Sequence, residues 1–433
     1  MFEKFQRSNW FRQDRFGMFI HWGIYATPAR GEWVRSVERI SNEAYQQFFD
    51  SFNPVDYDPK KWAKAAKAAG MKYAVMTAKH HDGFCLFDSA LTDYKATNTP
   101  AKRDLIREYL DAFRAEGLKV GLYYSLLDWH HPDYPHYGDR CHPMRENKAF
   151  EGAEHRFERY VDYLHGQVKE LCTGYGKLDI MWFDFSYDNM VGEKWQAEKL
   201  VKMIRSYQPD VLIDNRLEVG GSSFGSILED EPSLWSGDFA SPEQLIPPEG
   251  LTNKRGEPIP WEACITMNKN WGYHSGDKFF KPASMIVRKL VECVSKGGNM
   301  LLNVGPDARG NIPEESLRVL VDVGRWMDLN GGSLVGCGNA NLPKPEWGRY
   351  TRKGNLVYVH VFEPPIGPLY LPGIPAAKVK KARLLRDGSE IKMSAAWMLH
   401  AYQGLTFLET DPVMNDCCLP DPLDTVIEIE LTD

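Results

Sequence analysis

The feature that most constrains this chain is an alternation. Over roughly the first 330 residues, short apolar, β-rich runs take turns with amphipathic stretches of helical period. The runs are "GMFIHWG" 17–23, "YAVMTAKHH" 73–81, "KVGLYYSLLDW" 119–129, "LDIMWFDF" 178–185, "DVLIDNR" 210–216, "WEACITM" 261–267 and "NMLLNVG" 299–305. Helices are predicted over 58–69, 103–116, 150–172, 193–207, 282–296 and 314–329. Pro313, Glu314 and Glu315 open the last of these, and Gly70 and Gly117 sit where helices should end. Strands separated by helices pair in parallel and are covered by those helices. Seven strands are visible, and an eighth is sought in the irregular stretch 218–250. The pattern predicts a (β/α)8-like, TIM-type barrel over residues 1–335. A doubly wound sheet fits less well, and no G-x-G-x-x-G follows the first run.

Near residue 335 the pattern changes. "NLVYVHVF" 355–362, "KARLLRDGSEIKM" 381–393, "LTFLE" 405–409 and "TVIEIEL" 425–431 alternate in polarity without helices between them. Asp387-Gly388 is a hairpin turn signal. Residues 336–433 therefore read as a small C-terminal antiparallel β-domain.

Composition narrows the partners. The net charge is -7 and the Lys and Arg residues are scattered among acids, so no basic face for nucleic acid is expected. No run is long and apolar enough for a bilayer span, and the N-terminal "MFEKFQRSNWFRQDRFGMFIHWG" lacks the apolar core of a signal peptide, so a cytoplasmic protein with no membrane partner is expected. The eight cysteines (Cys85, Cys141, Cys172, Cys264, Cys293, Cys337, Cys417 and Cys418) are dispersed. None makes a zinc spacing, and the adjacent Cys417 and Cys418 make a poor disulfide pair, so reduced thiols are expected. The chain sets no oligomeric state, and a homo-oligomer is compatible with it. Aromatic residues stand beside His, Asp or Glu in "IHWG", "GEWV", "LDWHH", "MWFDF", "PWEAC" and "NWGYH". That pairing suits a wet pocket with flat apolar walls and hydrogen-bonding groups.

In a parallel barrel, functional side chains gather at the C-terminal ends of the strands. The apolar runs here end at His21-Trp22, at His80-His81-Asp82, at Tyr123-Tyr124 running on to Asp128-Trp129-His130-His131, at Trp182-Phe183-Asp184, at Asp214-Asn215-Arg216 and at Asn303. Three chemistries compete for this ring. "NVGPDARGNIP" 303–313 is a weak phosphate loop without a clear anion cradle. A metal-dependent barrel hydrolase would show His-x-His on the first strand and an aspartate on the last. Here the first strand has His21 alone, Asp307 lies beyond Asn303, and His80 and His81 are adjacent and point oppositely on a strand. No metal or other cofactor is therefore expected. Carboxylate chemistry fits better. Asp184 ends the most apolar strand, and a buried carboxylate in an aromatic-walled pocket is what a glycosidase nucleophile requires. Asp179 begins the same strand, at the far end, and Asp188 follows in the loop. A second carboxylate must come from another element. Glu229, Asp230, Glu231, Asp238, Glu243 and Glu262 are the candidates, and position alone does not choose among them.

Read together, "RFGMFIHWG" 15–23, "EW" 32–33, "FNPVDYDPKKWAKAAKAAGMKYAVMTAKHHDGFCLFDS" 52–89, "RDLIREYLDAFRAEGLKVGLYYSLLDW" 103–129, "DIMWFDF" 179–185, "GDFASPEQ" 237–244, "PWEACITMNKNWGY" 260–273 and "SKGGNMLLNVGPDARGNIP" 295–313 resemble the α-L-fucosidases of glycoside hydrolase family 29. The resemblance spans about residues 9–330. It implies a barrel followed by a β-sandwich. It also implies retaining exo-hydrolysis of terminal α-L-fucose from oligosaccharides or glycoconjugates, without metal or cofactor. Asp184 matches the nucleophile, and Glu243, in "SPEQ", matches the acid/base carboxylate. Ser241 stands where that loop usually has Thr. Glu262 is the second choice for the acid/base. Sugar-binding positions carry over to His21, Glu32, Trp33, His80, His81, Tyr124, Arg216 and Trp271. Asp82 is expected to fix a histidine tautomer or the turn before Gly83. Retention calls for carboxyl groups about 5–5.5 Å apart. A sugar-binding protein with a degenerate site is the other alternative. The loops at 24–32, 130–145 and 218–256, which would meet the leaving group, leave the linkage open.

Overall fold

A computed structural model describes residues 3–221, 223–409 and 419–432. Cys417 and Cys418 lie outside the described residues. The other six cysteines are free thiols.

Seven parallel strands form one sheet: β1 (Phe16–Ile20), β2 (Tyr73–Lys79), β3 (Lys119–Ser125), β4 (Ile180–Asp184), β5 (Leu212–Ile213), β6 (Glu262–Thr266) and β7 (Asn299–Val304). Their order is β5-β4-β3-β2-β1-β7-β6. Nearly every strand residue is buried, because one face meets the barrel interior and the other the helices. The helices over Pro59–Ala68, Leu105–Ala115, Phe157–Gly174, Ala197–Tyr207, Ala283–Ser295 and Glu314–Asn330 fall where the 3.6-residue period puts them. Asp58 and Asp104 cap two of them by accepting from the backbone N–H groups of Lys60 and Arg107. Gly70 ends the first with φ +84°, and a Cβ there would meet Met327 at 2.9 Å.

The eighth stave is irregular. Residues 238–244 lie between the sheet edges β5 and β6 and pair in parallel with both, through the bridges Asp214 to Phe239, Ala240 to Trp261 and Glu243 to Cys264. Asp238 N–H donates to Ile213 O (2.6 Å), Cys264 N–H to Pro242 O (3.1 Å) and Gln244 N–H to Cys264 O (2.9 Å). Pro242 has no N–H to give, so a continuous ladder cannot form. β5 is shorter than the predicted 210–216. The Asp214 carboxylate accepts the Phe183 N–H (2.9 Å), taking the place of the next ladder bond, and the chain then turns at Asn215–Leu217. The short helix Asn9–Asp14 closes the barrel floor, where Phe11 packs against Tyr73 and Phe239 with centroids 5.6 and 4.8 Å apart.

The C-terminal region forms two antiparallel sheets. One has five strands: β8 (Gly338–Asn339), β9 (Gly348–Lys353), β10 (Leu356–Val361), β12 (Val379–Leu384) and β15 (Thr425–Leu431). The other has three: β11 (Leu369–Pro375), β13 (Lys392–Met393) and β14 (Leu405–Glu409). The Asp387-Gly388 turn is present, with Gly388 at φ +74° and its N–H bonded to Leu384 O (2.9 Å). Its two arms leave for different sheets, β12 pairing with β15 and β13 with β14. Arg288, on the helix Ala283–Ser295, donates to Phe362 O and Leu423 O and so ties the barrel to this region. Among the described residues no helix is long and apolar enough to cross a membrane.

Candidate active site

The strand ends open into a cavity of about 600 Å³. His21, Glu32, Trp33, His80, Asp184, Arg216, Glu243 and Trp271 all line it, together with Tyr123, Trp182 and Phe185. Its centre is Arg216, whose side chain is only 3% exposed. Nη1 donates to Asp184 Oδ1 (2.9 Å), Nη2 to Glu243 Oε2 (3.2 Å) and to Ser241 O (3.0 Å), and Nε to Ser241 Oγ (3.0 Å). Four of its five N–H groups are therefore spent, and the guanidinium lies over the Trp182 ring at 4.9 Å. Ser241 Oγ in turn donates to Asn215 Oδ1 (3.0 Å), so a hydroxyl, whether of Ser or of Thr, is what this position needs.

Asp184 sits at the end of β4. Oδ2 accepts the Tyr123 hydroxyl (3.1 Å) and Oδ1 the Phe185 N–H (2.9 Å). Burial pushes its pKa up to about 6; Arg216 opposes that rise and Glu243 adds to it. The residue after each carboxylate has left-handed backbone, Phe185 at φ 76° and Gln244 at φ 51°. For a bulky residue such as Phe this conformation is strained, as often happens where a side chain must be aimed. Glu243 stands on the segment that closes the barrel rather than on a loop arching over it.

The polar wall is fixed from behind. Asn303, at the end of β7, donates its amide to Trp271 O (2.8 Å) and so turns Oδ1 toward His21 Nδ1 (2.7 Å). His21 must carry its proton on Nδ1, which leaves Nε2 as an acceptor. Burial holds its pKa down at about 3, so the ring is neutral. Glu32 Oε2 accepts the Gly272 N–H (2.8 Å), and burial raises its pKa. β2 ends at Lys79, whose ammonium makes a buried pair with Asp128 (3.1 Å). Breaking a pair of this kind costs about 3–5 kcal/mol. Because the strand has stopped, His80 and His81 do not alternate, and their rings lie 3.9 Å apart.

A family model described as alpha-L-fucosidase matches residues 2–332. The chain belongs to the α-L-fucosidase family. It is 63% identical to alpha-L-fucosidase isoenzyme 1 from Paenibacillus thiaminolyticus, with a TM-score of 0.95 over 99% of this chain and 100% of that one. It is 31% identical to an alpha-L-fucosidase GH29 from Bacteroides thetaiotaomicron, solved as a trapped covalent intermediate in complex with 2-fluoro-fucosyl fluoride. There the TM-score is 0.83, over 99% of this chain and 96% of that one. The plasma alpha-L-fucosidase of Rattus norvegicus is 31% identical over 75% of this chain and 70% of its own length.

Three expectations for a fucosidase site are corrected by the geometry. Tyr124 does not reach the cavity. It points outward, donating to Gln167 Oε1 (2.7 Å) under the Lys79 ammonium, and Tyr123 faces inward in its place. His81 does not line the cavity either. It stacks on Trp129 (3.9 Å, 24°) behind Trp33, and neither ring nitrogen has a partner among the described residues. Glu262, at the start of β6, is sealed in the barrel below the site, where it accepts the Tyr73 hydroxyl. Burial lifts its pKa to about 8, and it has no route to a leaving group.

The remaining carboxylates serve elsewhere. Asp82 caps its own turn by accepting the Phe84 N–H (3.2 Å) and bonds Tyr45, with no hydrogen bond to a histidine nitrogen among the described residues. Asp238 pairs with Arg7 and Arg205, Glu229 with Lys254, and Asp230 with Arg255, all outside the cavity, which Glu231 does not line either. Asp179 accepts the Val120 N–H at the strand start, and Asp307 caps the turn to Asn311. Among the described residues no group of three or more His, Cys, Asp or Glu is arranged to hold a metal ion. Sequence reasoning missed Tyr123 and Phe185 as cavity residues. Tyr123 pairs with Trp182, two residues before Asp184, and that register was the missing signal.

Proposed function

We propose that the chain is a retaining exo-α-L-fucosidase in which Asp184 is the nucleophile and Glu243 the acid/base. The observation that carries this reading is the single guanidinium spanning both carboxylates. In the first step Asp184 attacks the anomeric carbon, the glycosidic bond breaks, and the Glu243 proton passes to the leaving oxygen. In the second, water gives its proton to Glu243 and attacks the anomeric carbon, and the ester to Asp184 breaks. Before attack Asp184 is charged and Glu243 neutral; in the intermediate Asp184 is an ester and Glu243 is charged. Arg216 therefore faces one negative charge throughout and need not reorganise, which is how a fixed dipole or charge lowers a barrier.

The inner wall suits a deoxy sugar. His21 Nε2, His80 and Glu32 meet ring hydroxyls, while Trp33 and Trp271 wall the ring and its methyl group. A buried polar set of this kind discriminates strongly against analogues that lack a hydroxyl. The closed inner end admits only a terminal residue of a fucosylated oligosaccharide or glycoconjugate. The test is hydrolysis of an aryl α-L-fucoside followed by NMR. The α anomer of fucose should form first, and Asp184→Ala should abolish turnover. A β anomer formed first, or full activity in Asp184→Ala, overturns the reading.

A further inference from the structure

The cavity is also lined by residues that the mechanism does not use. One side is a charged lip. Arg140, from the 130–145 loop, and Asp188, from the turn after β4, approach within 3.4 Å, and both also line the cavity. Their side chains are 64% and 57% exposed, so the pair adds little to stability and is free to exchange partners. The scaffold under them is rigid. Tyr187 donates its hydroxyl to Asp139 (2.7 Å), and Tyr134 donates to the same carboxylate (3.2 Å). The Arg140 guanidinium covers the Tyr187 ring at 4.8 Å. Tyr187 and Met190 exchange both backbone hydrogen bonds, and Asp188 is held at the turn tip with φ 50°.

Part of the cavity wall is glycine backbone, with Val219 and Ser223 beside it. Gly220 and Gly221 line it, and a Cβ would strike Ser186 O at 2.4 Å on the first and Arg216 Nη1 at 2.9 Å on the second. No side chain fits there, so the wall stays flat.

Building on the fucosidase reading, we propose that Arg140 and Asp188 form the leaving-group subsite, which takes a neutral pyranoside with free adjacent hydroxyls. The guanidinium supplies only donors and the carboxylate only acceptors. Together they match a diol, each of whose hydroxyls both donates and accepts. The lip has no net charge, so it offers no net attraction to a leaving sugar that carries a carboxylate or sulfate. The flat glycine wall receives the ring face.

The test compares two substrates on the intact protein. α-L-Fucosyl fluoride has a leaving group of one atom, too small to touch the lip. An α-L-fucosyl-galactose disaccharide fills it. For Arg140→Ala and for Asp188→Ala, the ratio of kcat/KM on the disaccharide to kcat/KM on the fluoride should fall about tenfold, the scale of one hydrogen bond to a charged group. A ratio unchanged in both variants overturns the proposal. That holds whether both rates drop together, which places the residues in folding or in the inner site, or neither moves. A parent protein that leaves fucosyl fluoride intact instead overturns the fucosidase reading itself, so the two failures are distinct.

Discussion

The amide of Asn303 and the ring of His21 are joined at 2.7 Å, Oδ1 to Nδ1, and this contact decides which imidazole nitrogen faces the cavity. The second amide bond, to Trp271 O, prevents Asn303 from flipping. A residue from the last strand thereby sets the hydrogen-bonding sense of a residue on the first.

Asn303→Leu releases the tautomer. His21 Nε2 then spends part of its time protonated and meets a hydroxyl as a donor. kcat/KM on an aryl α-L-fucoside should fall about tenfold, on the scale of one buried hydrogen bond. Burial holds the His21 pKa down at about 3, so the ring is neutral at pH 6 and at pH 8. The loss should therefore be the same at pH 6 and pH 8.

Asp184 sets the acid side of the pH profile. As a nucleophile it must be ionised, so kcat/KM should fall as pH drops through about 6. The stability consequence has the opposite sense. A folded pKa above the unfolded value of 3.8 gives stability that is complete below about 4 and lost as pH rises through 6. At pH 7 the ionised side chain costs the fold free energy. Asp184→Asn should therefore be inactive yet more resistant to urea at pH 7, by about 1–2 kcal/mol, with the gain vanishing near pH 4.

Glu243 and Glu262 separate by leaving group. Glu243→Gln should lose far more rate on a fucosyl disaccharide, whose leaving oxygen needs a proton, than on a dinitrophenyl fucoside, whose leaving group does not. Glu262→Gln should keep activity on both, because a neutral amide replaces a carboxyl that burial already keeps protonated near pH 7. Glu262→Ala should destabilise by about 2–4 kcal/mol through the cavity and the stranded Tyr73 hydroxyl.

The neighbouring tyrosines divide in the same way. Tyr123→Phe removes a donor to the Asp184 carboxylate, so the acid limb should move to higher pH and kcat should drop. Tyr124→Phe leaves the Gln167 side-chain carbonyl without its donor, while the amide keeps Ser89 and Cys85. It should cost about 1 kcal/mol in urea unfolding with an unaltered pH profile.

These pairs show where the sequence was legible. Polar groups at strand ends could be read as one ring, and His21, His80, Asp184 and Arg216 do face one cavity. Period and caps placed six of the barrel's helices, but not Asn42–Ser51, which no helix was expected to cover. Register was not written in any one segment. Tyr123 and Tyr124 are equivalent until β3 is laid against β4, when pairing with Trp182 turns the first inward. β5 is short because a side chain, Asp214, takes a ladder bond, and no propensity rule foresees that. The eighth stave lies inside the stretch 218–250 where it was sought, but Pro242 breaks its alternation, so its bounds could not be read and Glu243 looked like part of a loop.

That stave has a further consequence. Glu243 rides on the stretch that stitches β5 to β6, so barrel closure and the gap between its carboxylate and that of Asp184 are one variable. The seam is held by scattered bridges and β5 pairs with β4 at only two positions, whereas β3 with β4 and β6 with β7 form five-residue ladders. Elements with fewer cooperative bonds open first. As denaturant rises, turnover should therefore fail while the longer ladders still hold: a sparsely bonded seam is also the enzyme's trigger, and catalytic silence should come before the barrel falls apart.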